Sequence, residues 1–140
     1  MIEKLNNNEH IRINLFGREK DVEVFSTDYD TKALSEEEIS CLNWLIENVD
    51  IADYKKEIVA WCNEQYDIFS DEVIGEEDLE EELDIFAIAI NCTGLAQSKD
   101  GFVYPEISFF GDCKCDEEHG ICIGFRDKKF LGVNSQDWTL

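Results

Sequence analysis

The sequence predicts a single α+β domain over residues 1–140, with helices on one face of an antiparallel sheet. Apolar residues alternate with polar ones in residues 11–25, and they recur at helical spacing in residues 39–69. From residue 85 onward, short apolar segments separated by turn-forming residues indicate strands again. A hydrophobic fraction of 44% in 140 residues, with one proline and no linker, is typical of one packed core.

The N-terminal segment predicts a β-hairpin. Ile11, Ile13 and Leu15 fall on the same face of a strand, because side chains alternate between the two faces. Residues 17–21 then contain turn-forming and charged residues, and residues 22–25 alternate again. Two antiparallel strands joined by a short turn account for this pattern.

Two consecutive amphipathic helices are expected next. Ser35 and Glu38 have the spacing of a capping box, in which each side chain accepts a hydrogen bond from the other residue's backbone N–H. Apolar residues then recur every three or four positions over residues 39–49. After a second cap at Asp50, the same spacing continues over residues 51–69.

The C-terminal half predicts a four-stranded antiparallel meander. Residues 85–90 are apolar at every position, as expected for a central strand that is covered on both faces. Three further strands are expected at residues 102–110, 121–125 and 130–133. Pro105 has no N–H to donate to a ladder, so we expect it at an edge or a bulge.

The charge of the chain is strongly negative. Thirty-three Asp and Glu face twelve Lys and Arg, which gives a formal charge of −21. Such a chain repels nucleic acids and anionic membranes, so we expect neither as a partner. The same field attracts basic proteins and speeds their association. The alternative interpretation is that the charge serves only to keep a small protein soluble.

The chain is expected to be cytoplasmic. No apolar run has the length of a membrane span, and residues 1–8 show no apolar signal segment. Its six cysteines are then expected to be reduced thiols, because disulfides are rare in the cytosol. Cys41, Cys62 and Cys92 fall within apolar patterns, where a free cysteine behaves as a small core residue.

One cysteine-rich segment invites a metal hypothesis. Cys113, Cys115, His119 and Cys122 could in principle enclose a tetrahedral zinc ion. Their spacing differs from that of two CxxC knuckles, and strand alternation gives the four side chains no need to converge. We therefore expect a cysteine-rich strand pair with a polar turn and no cofactor, and these four residues stay as the alternative metal ligands.

The sequence carries no recognisable catalytic motif. A calcium-binding EF-hand loop starting at Asp28 would need Gly and Glu where the chain has Ala33 and Ile39. His119 and Cys122 lie across a turn, and that spacing does not direct a base at a nucleophile. There is no P-loop, dinucleotide fingerprint, HExxH or GxSxG. We therefore predict that the protein is not an enzyme.

The predicted C-terminal hairpin has a sequence pattern that resembles a known group of proteins. Its pattern consists of Pro105-Glu106-Ile107, then Glu118-His119-Gly120-Ile121 with Ile123 and Phe125, and finally Gly132-Val133. This segment resembles the closing hairpin of small bacterial proteins of unknown-function families. Some members of those families occur as immunity proteins beside polymorphic or contact-dependent growth inhibition toxins. The resemblance implies a protein that binds one toxin domain and blocks its active site, and it carries over no functional residue.

The resulting hypothesis is a bacterial immunity protein that neutralises a cognate toxin domain, expected to be a basic nuclease, through an acidic surface. The alternatives are a general acidic protein-interaction domain without a toxin partner and a Cys/His metal-binding protein. The expected partner-binding residues are Asp28, Asp30, Asp71, Glu72, Glu76, Glu77, Asp78, Glu80, Glu81, Glu82, Asp116, Glu117 and Glu118.

Overall fold

A six-stranded sheet carries three helices in the part of the chain that the computed structural model describes, residues 1–27, 32–69, 73–92 and 103–139. The mixed α+β class is confirmed. The strands are β1 His10–Leu15, β2 Arg18–Ser26, β3 Leu83–Ile90, β4 Ile107–Cys113, β5 Ile121–Arg126 and β6 Lys129–Asn134. The helices are α1 Glu36–Asn48, α2 Lys55–Phe69 and the short α3 Leu79–Glu82.

The hairpin turn is shorter than the predicted residues 17–21, because β2 already begins at Arg18, whereas the helix cap lies where the sequence indicates. Phe16 and Gly17 link β1 to β2 with φ angles of 53° and 80°, the left-handed conformation that matches the twist of a hairpin. At the start of α1, the Ser35 side chain accepts from the Glu38 N–H and the Glu38 carboxylate accepts from the Ser35 N–H. This capping box satisfies two donors that the first helical turn leaves without partners.

The sheet is larger than the predicted meander because the hairpin joins it. β3, β4, β5 and β6 pair antiparallel in chain order, whereas β2 pairs parallel with β3 from Glu23↔Ala87 to Ser26↔Ile90. A parallel pair needs a long connection, and α1 and α2 lie in that connection. The two predicted β units therefore form one sheet.

The fourth strand begins later and ends later than the prediction of residues 102–110, of which residue 102 lies outside the described residues. Ladder pairing starts after Pro105, when the Glu106 N–H donates to the Phe125 carbonyl at 2.9 Å. It continues to Cys113, which is paired with Leu83. Proline lacks the N–H that would have extended the strand toward its N-terminus.

The two long helices cover one face of the sheet. Leu42 and Leu45 of α1 are fully buried, and burial of each contributes about 1.5–3 kcal/mol. The ring of Phe125 in β5 lies edge-on to Trp44 at 6.1 Å and to Tyr54 at 5.5 Å, measured between ring centroids. These contacts place the main core between the helices and the sheet.

The opposite face of the sheet has a smaller apolar cluster. Ala87 and Ala89 of β3 pack with Phe110 and Cys122, and Phe25 and Trp138 lie against them. This second cluster explains why β3 is apolar on both faces. No helix among the described residues is long and apolar enough to cross a membrane.

Candidate functional site: an acidic groove above a thiol cluster

The predicted acidic residues other than Glu82 fall into three groups. Asp28, Asp30, Asp71 and Glu72 lie outside the described residues. Glu76, Glu77 and Asp78 form an exposed 3-10 turn that leads into α3, where Glu80 and Glu81 are also exposed. Asp116, Glu117 and Glu118 occupy the connection between β4 and β5, and the last two are exposed.

Strand pairing places Glu81 of the second group and Glu117 of the third group along one groove, which the other acids of these two groups do not line. The register Leu83↔Cys113 and Asp84↔Asp112 sets the end of α3 beside the connection that follows β4. A groove of about 360 Å³ lies between them, and five acids and one lysine line it. We call this surface the acidic groove; its charged residues are Glu81, Glu82, Asp84, Asp112, Lys114 and Glu117.

Most carboxylates of the acidic groove have no cation beside them. Asp84 forms an ion pair with Lys20 on β2. Within the described part of the chain, Glu81, Asp112 and Glu117 make no ion pair within 4.0 Å. Because these carboxylates are exposed and uncompensated, the groove presents a concentrated negative charge to solvent.

Glu82 differs from the rest of the predicted acidic surface, since it is buried at 5% exposure. Its Oε1 accepts hydrogen bonds from the Tyr66 hydroxyl at 2.8 Å and from the Cys115 N–H at 2.9 Å. Oε2 accepts from the same hydroxyl at 2.9 Å. These donors compensate for burial of the carboxylate. Because Glu82 is buried, it lies at the floor of the groove and cannot belong to a surface that meets a partner.

Buried cysteines surround the Glu82 carboxylate. The Sγ atoms of Cys62 and Cys115 and a carboxylate oxygen of Glu82 all lie within 4.8 Å of one another, and all three residues are buried. The Cys113 thiol is hydrogen-bonded to that of Cys115. We call Cys62, Glu82, Cys113 and Cys115 the thiol cluster.

The Cys113 and Cys115 thiols are protonated in the absence of a ligand. The hydrogen bond with Cys115, together with burial, raises the pKa of Cys113. For Cys115, the hydrogen bond with Cys113 favours the thiolate, but the Cys62 thiol and burial outweigh it and raise the pKa. Both groups are therefore neutral at pH 7 when nothing is bound to them.

The four metal-ligand alternatives considered from sequence do not meet at one point. Cys113 and Cys115 are neighbours in the thiol cluster, whereas Cys122 lies on the opposite face of the sheet. Burial raises the pKa of Cys122 to about 12. His119 is exposed, and its Nδ1 lies 3.1 Å from an Asp116 oxygen. The hydrogen bond to Asp116 raises the pKa of His119.

Neither Cys62 nor Glu82 was predicted from the sequence to belong to a thiol or metal-ligand cluster. Cys62 lies in the apolar stripe of α2, and Glu82 ends a run of acids that reads as a solvated surface. One local signal was available. Glu82 immediately precedes the apolar strand β3, and a residue at such a junction is often drawn into the core.

A second pair of thiols lies beside a separate cleft of about 310 Å³. Cys41 of α1 and Cys92 after β3 line this cleft together with Trp44 and Phe125. The Cys92 thiol donates a hydrogen bond that lowers the pKa of Cys41, while the same contact raises the pKa of Cys92. This contact therefore favours the thiolate form at Cys41 rather than at Cys92.

Comparison with known proteins yields one match. A family model described as "Domain of unknown function (DUF6985)" matches residues 2–140. No curated protein matches the chain. No solved structure matches it either.

Proposed function

The chain belongs to the DUF6985 family of domains of unknown function, and we propose that it is an immunity-type protein that binds and neutralises a cognate basic toxin domain. The acidic groove is the observation that carries this proposal, because it collects four exposed acids and a single lysine in one concave surface. A basic substrate cleft, such as that of a nuclease, complements this surface in charge.

The scaffold supports binding because it holds the carboxylates in place before a partner arrives. Asp84 and Asp112 are paired across the β3–β4 ladder, and Glu81 belongs to the helix that leads into β3. Ordering flexible side chains and loops at an interface costs free energy. Acids that are already positioned by a sheet reduce this cost, whereas acids on a flexible tail would not.

In this proposal the protein acts in the cytoplasm as a stoichiometric inhibitor and performs no chemistry on its partner. Binding occludes the active site of the toxin, so toxicity should fall in proportion to complex formed. The proposal rests on charge, shape and the resemblance of the C-terminal hairpin. The partner is therefore defined as a basic protein domain, with a nuclease as the expected case.

Co-expression with the toxin domain encoded beside its gene tests the proposal directly. We expect rescue of growth and a complex that co-elutes on size-exclusion chromatography. If neither growth rescue nor a complex is observed, the proposal is refuted. A complex without rescue would instead support the alternative of an acidic interaction domain that inhibits no toxin.

A matched pair of variants tests whether the acidic groove is the binding surface. The groove variant replaces four exposed acids by amides, and the control variant removes the same charge elsewhere. The groove set is Glu81→Gln, Asp84→Asn, Asp112→Asn and Glu117→Gln, and the control set is Glu3→Gln, Glu47→Gln, Glu57→Gln and Glu64→Gln. We expect the groove variant to weaken binding at least about tenfold more than the control. Equal effects would mean that only net charge matters.

The salt dependence of the association rate provides an independent test. The Debye length falls from about 10 Å at 0.1 M salt to about 3 Å at 1 M, so long-range attraction is screened. We expect the rate constant for association to fall markedly between about 50 mM and 500 mM salt. A rate constant that does not change with salt would show that the acidic field only serves solubility.

A further inference from the structure

We propose that the thiol cluster is a binding site for a thiophilic divalent cation of the Zn²⁺ class, with Cys62, Glu82 and Cys115 as the three protein ligands. This site differs from the one considered from sequence, because it takes ligands from α2 and α3 and excludes His119 and Cys122. It stands independently of any toxin partner.

The distances suit a tetrahedral ion. Zinc–sulfur bonds of about 2.3 Å and a tetrahedral angle require sulfur atoms about 3.8 Å apart. The donor atoms of Cys62, Glu82 and Cys115 lie within 4.8 Å of one another, so each pair needs to close by roughly 1 Å at most. Water can take the fourth position, as it does in zinc sites that have three protein ligands.

The donor set matches zinc better than the hard cations. Thiolates select zinc and other soft or borderline ions, whereas calcium and magnesium prefer sites made of oxygen alone. Two thiolate sulfurs and one carboxylate oxygen are donors of the kind zinc accepts, and three protein ligands leave one position for water.

The hydrogen bonds to Glu82 are of the kind that orient metal ligands in proteins. Oε1 is held by the Tyr66 hydroxyl and the Cys115 N–H, which orient the carboxylate. Among the described residues, Oε2 accepts only from Tyr66, so a lone pair remains for a cation. Hydrogen bonds of this type fix the orientation of a ligating group and raise metal affinity.

The acidic groove supplies a route from solvent to the cluster. Both Glu82 and Cys113 contribute to its lining, while Glu81, Asp84, Asp112 and Glu117 surround the opening. A funnel of carboxylates raises the local concentration of cations. The Cys62 and Cys115 thiols would each release a proton to solvent when the ion binds, so that sulfur–metal bonds replace the S–H bonds.

Titration of the reduced, chelator-treated full chain with Co²⁺ tests the site. Cobalt reports its own coordination, because thiolate ligands give a sulfur-to-metal charge-transfer band and tetrahedral geometry gives strong visible bands. We expect both signals at one equivalent of Co²⁺, and we expect Zn²⁺ to remove them by displacement. Absence of a thiolate band in the wild-type chain would overturn the proposal.

Matched cysteine variants locate the bound ion. Cys62→Ser and Cys115→Ser should each weaken binding by at least about 100-fold, and Glu82→Gln by at least about tenfold. Cys122→Ser is the control, since this equally buried cysteine lies on the other face of the sheet and should bind as the wild type does. Equal binding by Cys62→Ser and the wild type would assign the metal to surface carboxylates and refute the site.

The Tm of the wild-type chain tests the site without variants, some of which could fail to fold. Zn²⁺ at about 100 times its Kd should raise the Tm of the wild-type chain by roughly 8 °C, because only the folded chain assembles the ligands. Mg²⁺ at the same concentration should leave the Tm unchanged. No Zn²⁺-dependent rise in Tm, or an equal rise with Mg²⁺, would refute a thiolate site without any mutation.

Discussion

Replacing Tyr66 by Phe should destabilise the protein, because it removes the donor that compensates the buried Glu82 carboxylate. The Tyr66 hydroxyl lies 2.8 Å from Oε1 and 2.9 Å from Oε2 of Glu82. Tyr66→Phe keeps the buried ring and leaves the Cys115 N–H bonded to Oε1. Oε2 loses the donor that serves it, and a hydrogen bond to a charged group contributes about 1.5–3 kcal/mol. We therefore expect a loss of about 2 kcal/mol in the free energy of unfolding.

Urea unfolding of the reduced, metal-free chain at pH 7 measures this loss. At about 2–4 °C per kcal/mol, the same change should lower the Tm by roughly 4–8 °C. Tyr54→Phe is the matched control, because its ring packs against Phe125 and Phe130 and these contacts survive removal of the hydroxyl. A difference between the two variants below about 0.5 kcal/mol would refute the view that Tyr66 supports a buried charge.

Three further predictions concern the backbone, a histidine and a helix cap. Gly111→Ala should cost about 1–3 kcal/mol, because a Cβ at this position would lie 2.5 Å from the Asp84 carbonyl oxygen. Asp116→Asn should lower the pKa of His119 toward its ordinary value of 6.5, as measured by NMR of the imidazole protons, since the Asp116 hydrogen bond and charge raise it. Ser35→Ala should cost about 1 kcal/mol in urea unfolding, because the hydroxyl caps α1.

Each of these predictions has a control. Gly132→Ala should be nearly neutral, because its Cβ would meet the Trp138 ring at an ordinary 3.5 Å; an equal loss at both glycines would contradict the clash at Gly111. Ser40→Ala, exposed within α1, should leave stability unchanged, and a Ser35→Ala loss no greater than that would contradict the capping role.

The pH dependence of the His119–Asp116 pair follows from the direction of the shift. The folded pKa of His119 is raised, so the pair stabilises the fold fully below about pH 6.5, where the imidazole is protonated in both states. That contribution disappears as the pH rises through the folded pKa. In Asp116→Asn this part of the pH dependence should vanish, and an unchanged pKa of His119 would refute the assignment.

Local patterns predicted the elements that depend on neighbouring residues. The capping box of Ser35 and Glu38 and the helical spacing after it are short-range signals, and α1 begins where they indicate. Residues 85–90 read as a strand covered on both faces, and β3 has the main core on one side and the Ala87–Ala89 cluster on the other. In each case the pattern that predicts the element lies within a few consecutive residues of the sequence.

The candidate site could be predicted only in part. The sequence indicated that residues 76–78, 80–81 and 116–118 are acidic, and it contained no indication that Glu81 and Glu117 share one groove. It also placed Glu82 on the surface, because seven other acids precede it in the same segment. Burial of that one carboxylate depends on donors from Tyr66 and Cys115, which belong to different elements.

Composition and periodicity alone established the acidic character, the α+β class and the hairpin, helix and strand elements of this chain, because these properties follow from residue types and short spacings. The parallel pairing of β2 with β3, the acidic groove and the thiol cluster arose only in the tertiary structure. Each of them joins residues far apart in the chain, and their meeting is decided by which strands pair and in which register.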